Sequence, residues 1–490
     1  MNIAASLEGE LDQTVEELLQ SWEIPGLAVT VVKDDQVLLT RGYGLREVEH
    51  PGRVDEHTLF AIASNTKAYT SASIGLLVQE GRLGWDDPVT KYLPFFRLYD
   101  PHATEMLTVR DLLCHRCGLG TYAGDLLQFS LYSPREVLER VRYIPPAYPF
   151  RAGYGYCNLM FIAAGMVIEA VSGLGFDDFI RQRLFEPLGY MDAVTAPRFL
   201  GGRENIAIPH EEINGEVRPV STRDDAGFGA AGSIWASAAD VSNWLRFQLS
   251  GGMLNGGRIL ESAILEETHT PHTFIPMLPE ERRLFPTRHF TAYGLGWFMN
   301  DHNGRKVIRH TGGLDGMLSS TVLVPEEGIG IMVMTNKLPN MAYTALPYHL
   351  LDRLMGIEGR DWFKAYRLFE KESRAKLDEE KQKIVQARAS GTHPSLPLEA
   401  FAGEYDAPII GGAELKVDDE GLRIQLGAHP DLSGALTHWH YDSFMCKWDD
   451  PILGESLMPF TGDGQGHITG FKARVREDWI DSAEHVFKRK

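Results

Sequence analysis

The chain predicts an α/β fold: an antiparallel sheet flanked by helices, a separate helical region, and a smaller all-β module toward the C-terminal end. Three observations predict it. Residues 27–32 and 36–40 alternate and bracket Lys33-Asp34-Asp35, the pattern of a hairpin. Further strand patterns stand at 294–300, 305–309, 319–325 and 329–336, so the first and last strands share a sheet and helices fill the span between them. After a charge-dense stretch at 360–389, short strands with turns at Asp419-Glu420-Gly421 and Gly462-Asp463-Gly464 mark a β unit of their own.

Taken in order, the elements begin with Leu7, Leu11, Val15, Leu18, Leu19 and Trp22, which mark an amphipathic helix packed on the body. The N-terminal stretch lacks the basic head and apolar run of a signal peptide, and no apolar run approaches the ~20 residues that span a bilayer. Cytoplasmic residence is the simplest expectation; a secreted or periplasmic form with its leader removed would read the same. Residues 85–255 are expected to form the helical region. Long connections at 118–151 and 269–291 are expected to border a pocket as lids, or to be surface elaboration. The charged stretch reads as an exposed helix, broken by 390–397. The expected domains are therefore 1–357, then a charged helix and linker at 358–397, then the β module at 398–490.

Lys plus Arg number 48 against 67 Asp plus Glu, a net charge of −19, which argues against nucleic-acid and anionic-membrane partners. The four cysteines are Cys114, Cys117, Cys157 and Cys446. Cys114-His115-Arg116-Cys117 has no second cysteine pair to complete a zinc site, so structural thiols are expected. His438-Trp439-His440 likewise lacks partner spacing for a metal and reads as a surface or interface feature. No metal or cofactor is expected.

Chemistry concentrates in three short motifs. Ser64-Asn65-Thr66-Lys67 stands at the mouth of an apolar helix, where positions i and i+3 share a face and the Lys67 amine can reach the Ser64 hydroxyl. A serine is a weak nucleophile until a base takes its proton, and a desolvated lysine can be that base. The spacing alone proves little, because Ser373-Arg374-Ala375-Lys376 repeats it among charged residues on a solvated helix face. Tyr156-Cys157-Asn158 opens a second apolar helix after a Pro- and Gly-rich loop; its tyrosine can relay protons, and Asn158 can hold Lys67 or a substrate amide. In His310-Thr311-Gly312-Gly313 the glycines let substrate lie along a strand, with Thr311 and Gly312 as its binding surface. The backbone N–H groups of Ser64 and Gly313 could form an oxyanion hole. His310 is expected on the sheet edge. His302-Asn303-Gly304 also fits His-x-Gly but reads as a hairpin turn with a structural histidine.

In that order, Ser-x-x-Lys, Tyr-x-Asn and His-x-Gly resemble the penicillin-binding-protein and class C β-lactamase-like serine hydrolases. The likeness extends through the 107–115 helix ahead of a His-x-x-Gly-Leu turn, Ala231-Gly232-Ser233, Ser237-Ala238-Ala239-Asp240 and Tyr293-Gly294-Leu295-Gly296-Trp297, and covers roughly residues 7–357. The resemblance implies a β-lactamase/transpeptidase-like fold and an acyl-enzyme on Ser64, with Lys67 and Tyr156 moving the proton, Asn158 orienting Lys67, and His310 assisting proton transfer or binding substrate. Many members that recognise penicillins carry lysine where this chain has His310. A mostly neutral imidazole offers no fixed charge for a substrate carboxylate, which argues against efficient β-lactam hydrolysis. Small peptides or amides, including D-residue substrates, come first among expected substrates, then esters, then β-lactams. A peptide cyclase and an acylatable sensor without turnover remain as rival outcomes. The 398–490 module resembles the lipocalin-like domain fused to some D-amino-acid-specific peptidases of that family, implying a role in homo-oligomer assembly or in access to the site.

Overall fold

A computed structural model describes residues 3–50, 52–223, 226–429, 432–475 and 483–490. The chain divides into two compact units. The first gathers Met1–Leu93, Thr108–His115 and Phe161–Glu372; the second gathers Pro94–Leu107, Arg116–Met160 and Ser373–Lys490.

The first unit is built on an eight-stranded antiparallel sheet. Its strands are β1 (Gly26–Lys33), β2 (Gln36–Gly44), β3 (Thr273–Ile275), β4 (Thr291–Tyr293), β5 (Phe298–His302), β6 (Arg305–Leu314), β7 (Met317–Val324) and β8 (Ile329–Thr335). The spatial order is β2-β1-β8-β7-β6-β5-β4-β3, so the N-terminal hairpin joins the sheet through β8. β1, β7 and β8 are buried on both faces; β1 and β8 are rich in Val, Ile, Leu and Met, whereas β7 also buries Ser319, Ser320 and Thr321. One face is covered by α1 (Ile3–Ser21) and by Ala342–Met355, which bury Leu11, Val15, Leu18 and Trp22 against Val29, Val31, Ile331, Val333 and Leu346. The Leu7 side chain lies outside the described ones. Trp22 Nε1 donates to Glu370 Oε2 (2.9 Å), and His302 and Trp362 both hydrogen-bond Asp352 (2.6 Å each), pinning the sheet to the helices behind it. His302 ends β5 just ahead of the Asn303-Gly304 turn, and its bond to Asp352 gives it a structural role.

Two expectations need correction. The strand expected at 294–300 begins only at Phe298, because Gly294–Trp297 forms a tight turn: Gly294 N–H donates to the Trp297 carbonyl (2.8 Å) and Gly296 N–H to that of Leu113 (3.0 Å). Gly296 has φ +80°, and a Cβ there would lie 2.6 Å from Ser71 Oγ and 2.8 Å from the Lys67 carbonyl oxygen. Only glycine fits. His310 is not on an edge strand either, since β6 lies between β7 and β5. The β5 pairing ends at Phe298↔Arg309, however, whereas the β7 pairing runs on to Leu314↔Met317. Residues 310–314 thus form a local edge inside the sheet, and the turn at 294–297 creates it. The 269–291 connection holds the edge strand β3 and a short helix, Pro279–Leu284.

In the second unit, eight antiparallel strands from Gly403–Ala407 to His485–Arg489 close into a barrel. Leu422, Ile424 and Leu426 point inward and alternate with more exposed Arg423 and Gln425. Phe401, Tyr405, Phe444, Phe460 and Phe471 pack ring on ring inside, as a barrel of eight strands permits. The 116–160 stretch lies against this barrel: Leu131 N–H donates to the Ala428 carbonyl (2.8 Å), Arg140 to that of Pro408 (3.2 Å), and the Tyr132 ring meets His429 edge-on. Arg388 donates to the Trp439 carbonyl (2.8 Å) and Ala389 N–H to His440 Nδ1 (3.2 Å), so the 438–440 motif anchors the chain leaving helix Trp362–Gln386. Among the described residues no single helix is long and apolar enough to cross a membrane.

Candidate active site

Ser64 sits in a one-turn 3-10 helix, Ala63–Asn65, between the short strand Phe60–Ala61 and α2 (Thr66–Gln79). Ala63 carries φ +47°, an uncommon conformation for a residue with a Cβ, and neighbouring contacts hold the turn in it. Ile62 N–H donates to the Ile234 carbonyl (3.0 Å), Ser319 Oγ donates to the Ile62 carbonyl (2.7 Å), and Asn65 Nδ2 donates to Ser319 Oγ (2.8 Å). α2 is buried on every side, as its lack of amphipathicity requires.

Lys67 is the anomaly on that helix, because it bears an ionisable amine and is 0 % exposed. Its Nζ lies 2.9 Å from Ser64 Oγ and donates to the Ala231 carbonyl (2.7 Å), with the Phe161 ring centroid 5.4 Å away. Helical spacing brings the first contact; the second comes from the Gly229–Gly232 turn.

β6 runs against the nucleophile turn. A Cβ on Gly312 would collide with the Ile62 carbonyl oxygen and lie 2.5 Å from Ser319 Oγ, so glycine is what lets strand and turn touch. Thr311 is half-buried, whereas Gly313 is exposed and a Cβ there would meet only Leu318. His310, 1 % exposed, has both ring nitrogens engaged: Nδ1 is 2.6 Å from the Thr311 carbonyl oxygen and Nε2 is 2.9 Å from Tyr293 Oη. Burial pushes its pKa down to about 3, with the Lys67 charge adding to the effect. His115, at the turn after the 107–115 helix, packs between Phe161 (5.4 Å) and Tyr293 (4.4 Å). Its pKa too is held well below the ordinary value, by burial and then by Lys67 and His310.

Tyr156 and Asn158 stand together in the second unit. Tyr156 is buried; its N–H donates to Thr121 Oγ1 (3.2 Å), its carbonyl accepts the Tyr122 N–H (2.7 Å), and its ring meets that of Tyr122 edge-on. Asn158 Nδ2 donates to buried Asp125 Oδ2 (2.5 Å), while Asn158 Oδ1 is buried without a hydrogen bond. Cys157 is buried between these two residues, and its pKa is driven well above the usual thiol value by the hydrogen bond its thiol donates to Cys117 and by burial. All four cysteines are buried thiols outside any disulfide. Among the described residues no group of His, Cys, Asp or Glu is arranged to hold a metal.

The sequence motifs named Ser64, Lys67, His310, Thr311, Gly312 and Gly313, all of the first unit, and Tyr156 and Asn158 of the second. They missed Asp125, the Ala231 carbonyl, and the Tyr293–His310–His115 array. Tyr293 and His115 each lay inside a recognised stretch, but their polar contacts depend on which strands pair.

The family profile described as Beta-lactamase matches residues 11–354, and one described as Domain of unknown function (DUF3471) matches residues 387–488. Unguisins hydrolase ungD of Aspergillus violaceofuscus is 28 % identical over 451 residues, covering 85 % of this chain and 78 % of that protein. Protein flp of Staphylococcus aureus is 26 % identical over 336 residues, covering 67 % of this chain and 62 % of that protein. The octameric penicillin-binding protein homologue from Pyrococcus abyssi superposes with a TM-score of 0.62 at 20 % identity, over 98 % of this chain and 99 % of that one. The D-stereospecific amidohydrolase from Streptomyces sp. superposes with a TM-score of 0.53 at 25 % identity, over 65 % of this chain and 92 % of that one.

Proposed function

The chain belongs to the Beta-lactamase family of serine hydrolases, and from that premise we propose that it hydrolyses small peptides or amides through an acyl-enzyme on Ser64. One observation carries this reading: a fully buried Lys67 amine lies 2.9 Å from the Ser64 hydroxyl. In the reaction, Lys67 in its neutral amine form takes the Ser64 proton as Oγ attacks the carbonyl carbon, and the Ser64 and Gly313 N–H groups hold the oxyanion. The C–N bond then breaks, and the proton reaches the departing amine by way of Tyr156 and Lys67. Water attacks the ester that remains and releases the acid. Asn158, fixed through Asp125, orients the Lys67 amine, and Thr311 and Gly312 present strand backbone to the substrate.

The substrate class rests on two supports. A D-stereospecific amidohydrolase shares the fold at 25 % identity, and a curated relative along most of the chain is itself named a hydrolase. Esters come second, because an activated serine accepts them. β-Lactams come last, because His310 is neutral. Homo-oligomerisation through the C-terminal domain is part of the proposal, supported by the octameric state named for the Pyrococcus abyssi homologue. Four buried cysteines kept as thiols fit a reducing compartment, which supports cytoplasmic residence.

Intact-mass spectra followed over time test the mechanism, with a D-amino-acid amide, an L-amino-acid amide, a p-nitrophenyl ester and a penicillin offered to wild type and to Ser64→Ala. A transient adduct that requires Ser64, with product from an amide, is expected. Full turnover by Ser64→Ala sinks the mechanism. A persistent adduct would turn the reading toward a sensor, and a cyclic product toward a cyclase.

A further inference from the structure

His310 occupies the position at which proton transfer or substrate binding would be expected, yet its surroundings leave it no proton to move. The Thr311 carbonyl oxygen, 2.6 Å from Nδ1, carries no hydrogen, so Nδ1 must be the protonated nitrogen. The other nitrogen faces the Tyr293 hydroxyl at 2.9 Å. Burial and two neighbouring charges work against a second proton on the ring, in opposition to the Thr311 carbonyl that favours it. Lys67 approaches from α2, Arg309 contributes from the same strand, and His115 faces it across Tyr293. The Phe298 ring closes a further side (5.2 Å). With Nε2 unprotonated, the Tyr293 hydroxyl has to be the donor.

We infer that Tyr293 is a positioning residue: its hydroxyl, donated to His310 Nε2, locks His310 as a neutral, proton-inert strut that fixes strand 310–313 against the nucleophile turn. Tyr293 reaches this place through the turn that interrupts the sheet. It is the last residue of β4, pairs with Phe298 across Gly294–Trp297, and so stands beside His310 where β5 stops covering β6. The hydrogen bond spans the local edge that the missing strand residues leave. Its counterpart, from Nδ1–H to the Thr311 carbonyl, bends the imidazole back onto its own strand. Together they set the path of the backbone from Thr311 to Gly313, whose N–H groups and glycines the substrate meets. The inference rests on the acyl-enzyme reading above.

Two kinds of measurement test it. In wild type, the ring nitrogens of His310 are followed by 15N NMR from pH 5 to 8, assigned by comparison with His310→Gln. A single neutral tautomer with the proton on Nδ1, unchanged across that range, is expected. In kinetics with the best substrate of the panel, His310→Gln keeps both hydrogen bonds (an amide oxygen for Tyr293, an amide N–H for Thr311) and cannot titrate. It is expected to lower kcat by less than ~10-fold and to leave the shape of the pH–rate profile unchanged, whereas a lost acid–base catalyst costs about 10²–10⁴-fold. Tyr293→Phe removes one oxygen atom; it is expected to lower kcat more than His310→Gln does, and to lose less when added to His310→Ala than alone. Titration of His310 between pH 5 and 8, or loss of a limb of the pH profile in His310→Gln, overturns the inference. The Ser64→Ala control keeps the two readings apart. Turnover surviving there defeats the acyl-enzyme, whereas a titrating His310 beside an intact Ser64 adduct defeats only the role given to Tyr293.

Discussion

Acidification from pH 7 to pH 5 should weaken the first unit steeply, and the buried histidines say by how much. His269 and His310 each have a pKa pushed down to about 3 in the folded chain, His269 by burial and then Lys306, His310 by burial and then Lys67. His115 moves in the same direction. In the unfolded chain each returns to about 6.5. A base whose folded pKa is depressed stays neutral in the native state while the unfolded state binds a proton. Its stabilising contribution is therefore complete above pH 6.5 and is lost as pH falls from there toward 3. Each such group contributes a slope of about 1.4 kcal/mol per pH unit in that window, so at pH 5 His269 and His310 each cost about 2 kcal/mol. Two such losses are a large share of the 5–15 kcal/mol typical of a folded domain, roughly a quarter or more. The second unit carries one comparable group, His429, lowered to about 4 by burial. His57, raised beside Asp192, and Asp240, raised by burial, act in the opposite sense; His57 is largely exposed, and Asp240 titrates from a carboxylate reference below the window.

Equilibrium urea unfolding at pH 7, 6 and 5 measures this directly. The first unit is expected to lose stability faster than the barrel, with urea midpoints that separate as pH falls. His269→Gln supplies the control. His269 Nε2 pairs with Gln248 Oε1 at 2.9 Å, which a glutamine amide can replace, and the variant's slope should fall by about 1.4 kcal/mol per pH unit. Stability that is flat between pH 7 and pH 5, or an identical slope in wild type and His269→Gln, would refute the account of these histidines as buried and neutral.

Two further outcomes follow from contacts in the site. Gly312→Ala forces a Cβ into the Ile62 carbonyl; overpacking of that kind costs about 1–3 kcal/mol, and the displaced turn should slow Ser64 acylation, read by intact mass while circular dichroism reports the barrel unchanged. Acylation at the wild-type rate would show that strand and turn do not depend on each other. Asp125→Ala strips Asn158 Nδ2 of its partner, costs about 1–3 kcal/mol for the buried amide left unpaired, and should lower kcat more than it raises KM. Wild-type kcat in a folded Asp125→Ala chain would remove Asp125 from the site.

What the sequence made legible was local, and what it hid was assembled across the sheet. Ser64 and Lys67 could be paired because one helical turn separates them. The barrel could be read because the inward-outward alternation of strands such as Gly421–Leu426 is written in consecutive residues. The turn at 294–297 could not be read, because apolar residues continue through it; its geometry comes from Gly296 pressing on α2, far away in the chain. β3 was hidden for a simpler reason, since three residues among prolines carry too little pattern to stand out. Asp125 was invisible as the partner of Asn158 because a 33-residue separation in an irregular stretch, itself lying against the barrel, brings them together.

The same distinction bears on the specificity of the site. A motif comparison sees histidine where lysine stands in relatives that bind penicillins and records the loss of a charge. The surroundings of His310 add that this charge would have no place to go. At 1 % exposure, and with the Lys67 amine already nearby, a second ammonium there would be cut off from solvent. This side of the nucleophile turn is built around one amine, that of Lys67 against Ser64, and around neutral rings. A substrate acyl group bearing a carboxylate would find no fixed positive partner in His310, whereas an uncharged amide or ester could use the strand backbone that Tyr293 and His310 hold in place. That difference, rather than any change in the nucleophile, is what should separate amide and ester turnover from β-lactam turnover in this chain.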